Sequence, residues 1–166
     1  MRHGEGSCTC EARGDPHGFQ PKPAERNVFK QNSERYLSEL DVLKHWANAK
    51  VAELPRAGRR LVTSQDAFQY FSRDFGFTIY AIEGITTADQ PSAEKVTRII
   101  EEIRLRKVKA VFPERIENPK VLQKITRESG AAVGPMLYAD GLGGGAAATY
   151  AVMYRHNVAA IEDSLK

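Results

Sequence analysis

Arg60-Leu61-Val62-Thr63-Ser64-Gln65-Asp66-Ala67-Phe68-Gln69-Tyr70-Phe71 is the stretch from which the fold is read. Its first half is a short apolar run closed by polar residues, the pattern of a buried strand. In its second half Ala67, Phe68, Tyr70 and Phe71 fit the inward face of a short helix. Thr63 with Asp66 three residues on reads as a capping box at the junction. A strand that runs straight into a helix is the opening of a βαβ unit, and the question is whether the pattern repeats.

It does. Thr78–Ile82 reads as a strand, and Ala93–Leu105 as a helix with Pro91 near its first turn. Val108–Phe112 reads as the next strand, and Pro119–Ser129 as a helix with Asn118 as N-cap and Gly130 at its C-terminus. A strand from Ala132 to about Pro135 leads through Met136-Leu137-Tyr138-Ala139-Asp140 into Gly141-Leu142-Gly143-Gly144-Gly145, and a helix follows from about Ala147 to Leu165. Four successive strand-then-helix units predict an α/β fold, a parallel four-stranded sheet with helices on both faces.

Upstream, Phe29, Tyr36, Leu37, Leu40, Leu43, Trp46, Ala47 and Val51 recur at intervals of three and four, drawing one stripe along a helix from Ala24 to Leu54 that Pro55 stops. At 1.5 Å per residue it is about 45 Å long, more than a small domain needs to cover one sheet face. Residues 1–23, rich in Gly, Pro, His and charge and without periodicity, read as a disordered tail. The expected organisation is therefore a tail over 1–23, a long helix over 24–55 and an α/β lobe over 56–166.

Composition narrows the function. The 166 residues are 42% apolar, and 24 basic against 21 acidic residues give a net charge of +3 in mixed sign, with no basic stripe to track phosphates. Nucleic acid is not implied. No apolar run is long enough to span a bilayer, and Met1-Arg2-His3-Gly4-Glu5-Gly6 does not open a signal peptide, so the chain as written is expected in the cytoplasm. Cys8 and Cys10, one residue apart in a polar stretch, make no disulfide framework and a weak metal site. The glycines at 143–145 lack the Gly-Lys-Ser/Thr ending of a phosphate loop. No Ser-His-Asp order, Cys-His pair or His-Glu-x-x-His is present, and His45 and His156 fall within predicted helices away from the rim.

In a doubly wound sheet, ligands bind beyond the carboxyl ends of the strands. Three loops open there, carrying Ser64-Gln65-Asp66, Pro113-Glu114 and Tyr138-Ala139-Asp140. Asp140 and Glu114 offer hard oxygen ligands and Gln65 an amide oxygen, a set suited to a divalent cation when further ligands complete it. Plainer roles stand beside these: Asp66 as a helix cap, Glu114 as a surface or helix-start carboxylate, Asp140 as a cap before the last helix.

The quoted stretch resembles the Thr-Ser-His-Asp-Ala-Phe-x-Tyr-Phe signature of the zinc and manganese solute-binding proteins of ABC importers. Other pieces agree in order and spacing. Tyr36–Trp46 resembles that family's interdomain helix, Gly84-Ile85-Thr86-Thr87 with Pro91-Ser92-Ala93 its Gly-Ile-Ser-Thr and Pro-Ser-Ala stretch, and Leu137-Tyr138-Ala139-Asp140 its Leu-Tyr-Ser-Asp. Val108–Glu114 and Tyr150–Asn157 are similar to its neighbouring strand and closing helix, so the likeness covers about residues 24–166.

The resemblance implies two lobes joined by a long helix, with Zn²⁺ or Mn²⁺ held between them and passed to an ABC permease in the periplasm. By position, Asp140 takes the place of the aspartate ligand and Gln65 that of a histidine or glutamate. A neutral glutamine lacks the affinity of imidazole for zinc and the charge of carboxylate, so weaker binding is expected. Asp15-Pro16-His17 echoes the family's Asp-Pro-His, which makes His17 a further candidate ligand. The likeness begins at the long helix, so the expectation is a truncated chain without the first lobe. The alternative is a remnant or interaction module that self-associates through the apolar stripe of that helix.

Overall fold

The computed structural model describes residues 23–63, 67–81, 92–113 and 119–166. In chain order the elements are α1 (Pro23–Ala52), β1 (Arg60–Thr63), α2 (Gln69–Phe75), β2 (Thr78–Ala81), α3 (Ala93–Leu105), β3 (Ala110–Phe112), α4 (Pro119–Ser129), β4 (Ala132–Val133) and α5 (Tyr150–Leu165). Single 3₁₀ turns at Arg56–Gly58 and Gly145–Ala147 precede β1 and α5. The chain divides into two compact units, residues 1–38 and 39–166.

In the first unit every residue from Glu25 to Ser38 is exposed. The apolar side chains there, Val28, Phe29, Tyr36 and Leu37, are each about half exposed or more.

The second unit holds the sheet. All strand pairs are parallel, and the order is β2-β1-β3-β4. The chain leaves β1 for one side, then crosses back over β1 to β3 and on to β4. Parallel crossovers are right-handed, so a reversal of direction moves the connecting helix to the other face. One apolar cluster accordingly joins Val62 and Val111 to Val96, Ile99, Ile100 and Ile103 of α3 and Leu122 and Ile125 of α4. The other joins Leu61, Ala110 and Phe112 to Ala47, Val51, Phe75, Val158, Ile161 and Leu165, from α1, α2 and α5. Leu61 and Val62 are neighbours in β1 and fall in opposite clusters, as a strand's period of two requires. Burying each such side chain contributes about 1.5–3 kcal/mol.

The helices start and stop for local reasons. Ser92 accepts a hydrogen bond from the Lys95 backbone N–H at 3.2 Å and caps α3. Thr149 accepts one from Val152 N–H at 3.3 Å and caps α5. Gly76 and Gly130 end α2 and α4 at φ +68° and +79°, a left-handed turn that only glycine adopts cheaply.

Several sequence expectations are corrected. α1 ends at Ala52 rather than Leu54, although Leu54 is itself buried. α2 begins at Gln69 after Phe68, which makes no side-chain cap, so Thr63 in β1 is not the N-cap of α2, and Asp66, its partner in the expected capping box, lies outside the described residues. Its inward residues are Phe68, Phe71 and Phe75 at helical spacing, whereas Tyr70 is 75% exposed under Arg73, whose guanidinium lies 5.1 Å from its ring. β3 begins at Ala110 and β4 is only two residues long. α5 begins at Tyr150 because Gly145–Ala147 ahead of it form a separate 3₁₀ turn and Thr149 supplies the cap. Pro91, Asn118, Asp66, Cys8 and Cys10 lie outside the described residues.

Candidate metal centre

The strand order reverses direction between β1 and β3, and in open α/β sheets ligands bind beyond the carboxyl ends of the strands at such a switch point. The two strands end side by side, Thr63 opposite Phe112. Gln65 and Glu114 follow those ends in sequence but, like His17, lie outside the described residues. Of the four candidate ligands, Asp140 is the one whose position the structure gives. Among the described residues no three of His, Cys, Asp and Glu stand together as a metal cluster.

Asp140 sits at a bend beyond β4 and is exposed. It caps neither following turn of helix: Thr149 caps α5, and Gly144 precedes the 3₁₀ turn without a side-chain bond. The cap of the last helix is thus Thr149 and not Asp140.

What precedes Asp140 is a limb of backbone fixed residue by residue. Gly134 N–H donates to Val111 O at 2.9 Å, continuing the ladder from β4. A Cβ at Gly134 would lie 2.5 Å from the Phe112 ring, so only glycine lets the limb leave so close over that buried side chain. Leu137 is fully buried, and its N–H donates to Pro113 O at 3.0 Å, tying the limb to the end of β3.

At Tyr138 the partner changes from backbone to side chain. The Asn157 carboxamide oxygen accepts from Tyr138 N–H at 3.0 Å, and its Nδ2 donates to Tyr138 O at 2.7 Å. His156, its neighbour on α5, places Nε2 2.8 Å from Met136 O. A carbonyl can only accept, so Nε2 carries the proton in that contact. The ring of His156 also meets that of Tyr138 edge-on at 5.3 Å. His156, half-buried on α5, thus stands against the limb at Met136, four residues before Asp140. Asn157 was missed altogether; the signal in the sequence was an amide on the apolar side of the last helix, next to Val158 and Ile161.

On the remaining margin of this lobe, Glu162 is buried and ion-paired with Lys166 and, at 3.8 Å, with Lys50. Lys166 also reaches Glu53 at 2.8 Å. Hydrogen bonding to Glu162 and then Glu53 raises the Lys166 ammonium above its ordinary value, and the same bond to Lys166 lowers the Glu53 carboxyl. Burial pushes the Tyr154 phenol up to about 12, aided by Tyr150 and Asp74.

The chain is 30% identical over 151 residues to the manganese-binding lipoprotein MntA of Bacillus subtilis strain 168, a span of 87% of this chain and 49% of that protein. It is 33% identical over 150 residues to the zinc-binding protein TroA of Treponema pallidum strain Nichols, 86% of this chain and 49% of TroA. Among solved structures, the periplasmic zinc binding protein TroA from Treponema pallidum superposes with a TM-score of 0.74 at 31% identity, covering 87% of this chain and 55% of that one. The chain thus spans about half the length of the curated relatives it matches. Residues 19–164 match the family described as zinc-uptake complex component A, periplasmic, and with the parallel lobe and its Asp140 limb in place the chain belongs to that family.

Proposed function

We propose that this chain binds Zn²⁺ or Mn²⁺ as cargo and serves in its delivery to the permease of an ABC importer on the periplasmic side, as a substrate-binding protein rather than an enzyme. Asp140 is the principal ligand, with Gln65 and Glu114 as neighbouring oxygen donors and His17 as a further candidate. The observation that carries the reading is Asp140 itself: an exposed carboxylate, capping no helix, at the end of a fixed limb in a chain of the zinc-uptake family. Capture of this kind makes and breaks no covalent bond. The amide at Gln65 supplies less than an imidazole or carboxylate, so the affinity rests mainly on Asp140 and tilts toward harder ions. Calorimetric titration with Zn²⁺ and with Mn²⁺ tests it. The intact chain is expected to bind one of them, and Asp140→Ala to weaken binding by more than the roughly ten- to hundredfold that loss of an outer-shell group costs. Equal dissociation constants for the two proteins would sink the proposal.

A second reading is favoured by one observation, the exposed Val28, Phe29, Tyr36 and Leu37 of α1. Such a stripe suits self-association through that helix. Sedimentation of the chain at several concentrations decides this, since a mass independent of concentration excludes it.

A further inference from the structure

We infer that Asn157 is the positioning residue that sets Asp140 in place for a metal ion; the inference rests on the reading of Asp140 as a ligand.

The limb before Asp140 is held by backbone bonds as far as Leu137, through Val111 and Pro113. At Tyr138 both backbone groups are instead taken by one side chain, the Asn157 carboxamide, at 3.0 and 2.7 Å. Asn157 there does the work of a residue in an adjacent strand, offering one acceptor and one donor to the same peptide-bearing residue. Tyr138 is the last residue so fixed ahead of Asp140. Downstream, four of the five residues from Gly141 to Gly145 are glycine, and the next backbone tie is from Gly143 N–H to Ala147 O at 2.8 Å. Glycine offers no side chain to lock a loop and the widest backbone freedom. Asp140 is therefore positioned from its upstream side, across the single residue Ala139.

Asn157 is itself built to be rigid. It is 6% exposed beside the fully buried Val158 and Ile161, on a helix whose first turn is capped by Thr149. A buried amide is costly unless it is bonded, so its one favourable arrangement is the clamp on Tyr138. Neighbouring His156 adds its contact to Met136, but this touches the limb two residues further from Asp140. Groups that orient a ligand without touching the ion are worth about ten- to a hundredfold in affinity.

The test uses the full chain as wild type, Asn157→Leu, Asn157→Asp and Asp140→Ala, each titrated with Zn²⁺ and Mn²⁺. Alongside, amide hydrogen exchange of residues 136–142 is followed in the metal-free proteins, and Co²⁺ absorption in the loaded ones. Asn157→Leu is expected to weaken binding about tenfold, to free the Tyr138 amide for exchange while those of α3 and α4 stay protected, and to change the Co²⁺ spectrum. A merely structural role would lower the melting temperature and leave the spectrum and affinity of the folded molecules as they were. Asn157→Asp keeps the size of the side chain and the acceptor for Tyr138 N–H, but when ionised it sets a second oxygen against the Tyr138 carbonyl in place of the donor; it carries the test should the leucine variant fail to fold, and a loss of affinity is again expected. Wild-type affinity and spectrum in the folded Asn157 variants, with binding lost in Asp140→Ala, overturn the inference and leave the ligand reading standing. Unchanged binding in Asp140→Ala removes the ligand reading and the inference with it.

Discussion

The two faces of the sheet are made of different material. Under α3 and α4 the buried side chains are aliphatic, Val96, Ile99, Ile100, Ile103, Leu122 and Ile125 among them. Under α1, α2 and α5 the packing is aromatic and aliphatic, with Phe75, Phe77, Phe112 and Leu137, and the same layer of α5 buries Asn157 and Glu162. An aliphatic layer closes the fold through area removed from water and specifies no contact by direction. A buried amide or carboxylate does, because each satisfactory hydrogen bond or ion pair fixes a distance and an angle. The α3/α4 face therefore supplies stability alone, and the α5 face supplies stability together with the placement of the limb that ends at Asp140.

The largest effect that separates the two faces is expected from Ile125→Ala on α4. Ile125 is fully buried, and its truncation should cost about 2–5 kcal/mol in urea unfolding. Metal affinity per folded molecule should equal that of the wild type. A shift in affinity would show that the two faces are not separable.

Gly134→Ala comes next. The added methyl would have to displace the buried Phe112 ring from 2.5 Å, at a cost of about 1–3 kcal/mol in thermal or urea unfolding. Unlike Ile125→Ala, it should also weaken metal binding, since it moves the base of the limb. Stability loss with unchanged affinity would mean that Asp140 is placed without reference to Gly134.

The smallest effect lies at the corner where α5 meets Glu53. Lys166 holds the Glu53 carboxyl below its ordinary value of 4.5. The folded state thus binds this proton less readily than the unfolded state does. Its contribution is present above the unfolded value and is lost as pH falls through the lower folded one. Glu53→Gln should flatten the fall in melting temperature as pH drops below the ordinary carboxyl value of 4.5. An unaltered profile would show that this exposed pair does nothing measurable, as is common for such pairs.

The comparison of faces also explains what could be read in advance. α3 and α4 are found at Ala93–Leu105 and Pro119–Ser129, where the sequence put them, because isoleucines and leucines at helical spacing leave little ambiguity and Pro119 and Gly130 punctuate the second. Tyr70 was misplaced because α2 starts two residues later than a cap at Asp66 would allow, which turns the tyrosine outward and brings Phe75 in. The parallel sheet and the exposed Asp140 were legible from the strand-helix alternation and the acidic end of Tyr138-Ala139-Asp140. The clamp behind Asp140 was not, since Asn157 bonds to backbone 19 residues away and backbone has no letter in the sequence.

β4 is an edge of only Ala132 and Val133. A long bare edge is a template on which another chain can add a strand, and very short edges are one way proteins avoid it. Lys120, Lys124 and Arg127 of α4 line a cavity of about 580 Å³ that also reaches Val133. An incoming copy would therefore find two residues of backbone to pair with and three positive charges beside them, matching its own. At this margin the lobe is guarded against aggregation by the shortness of its edge and the charge beside it.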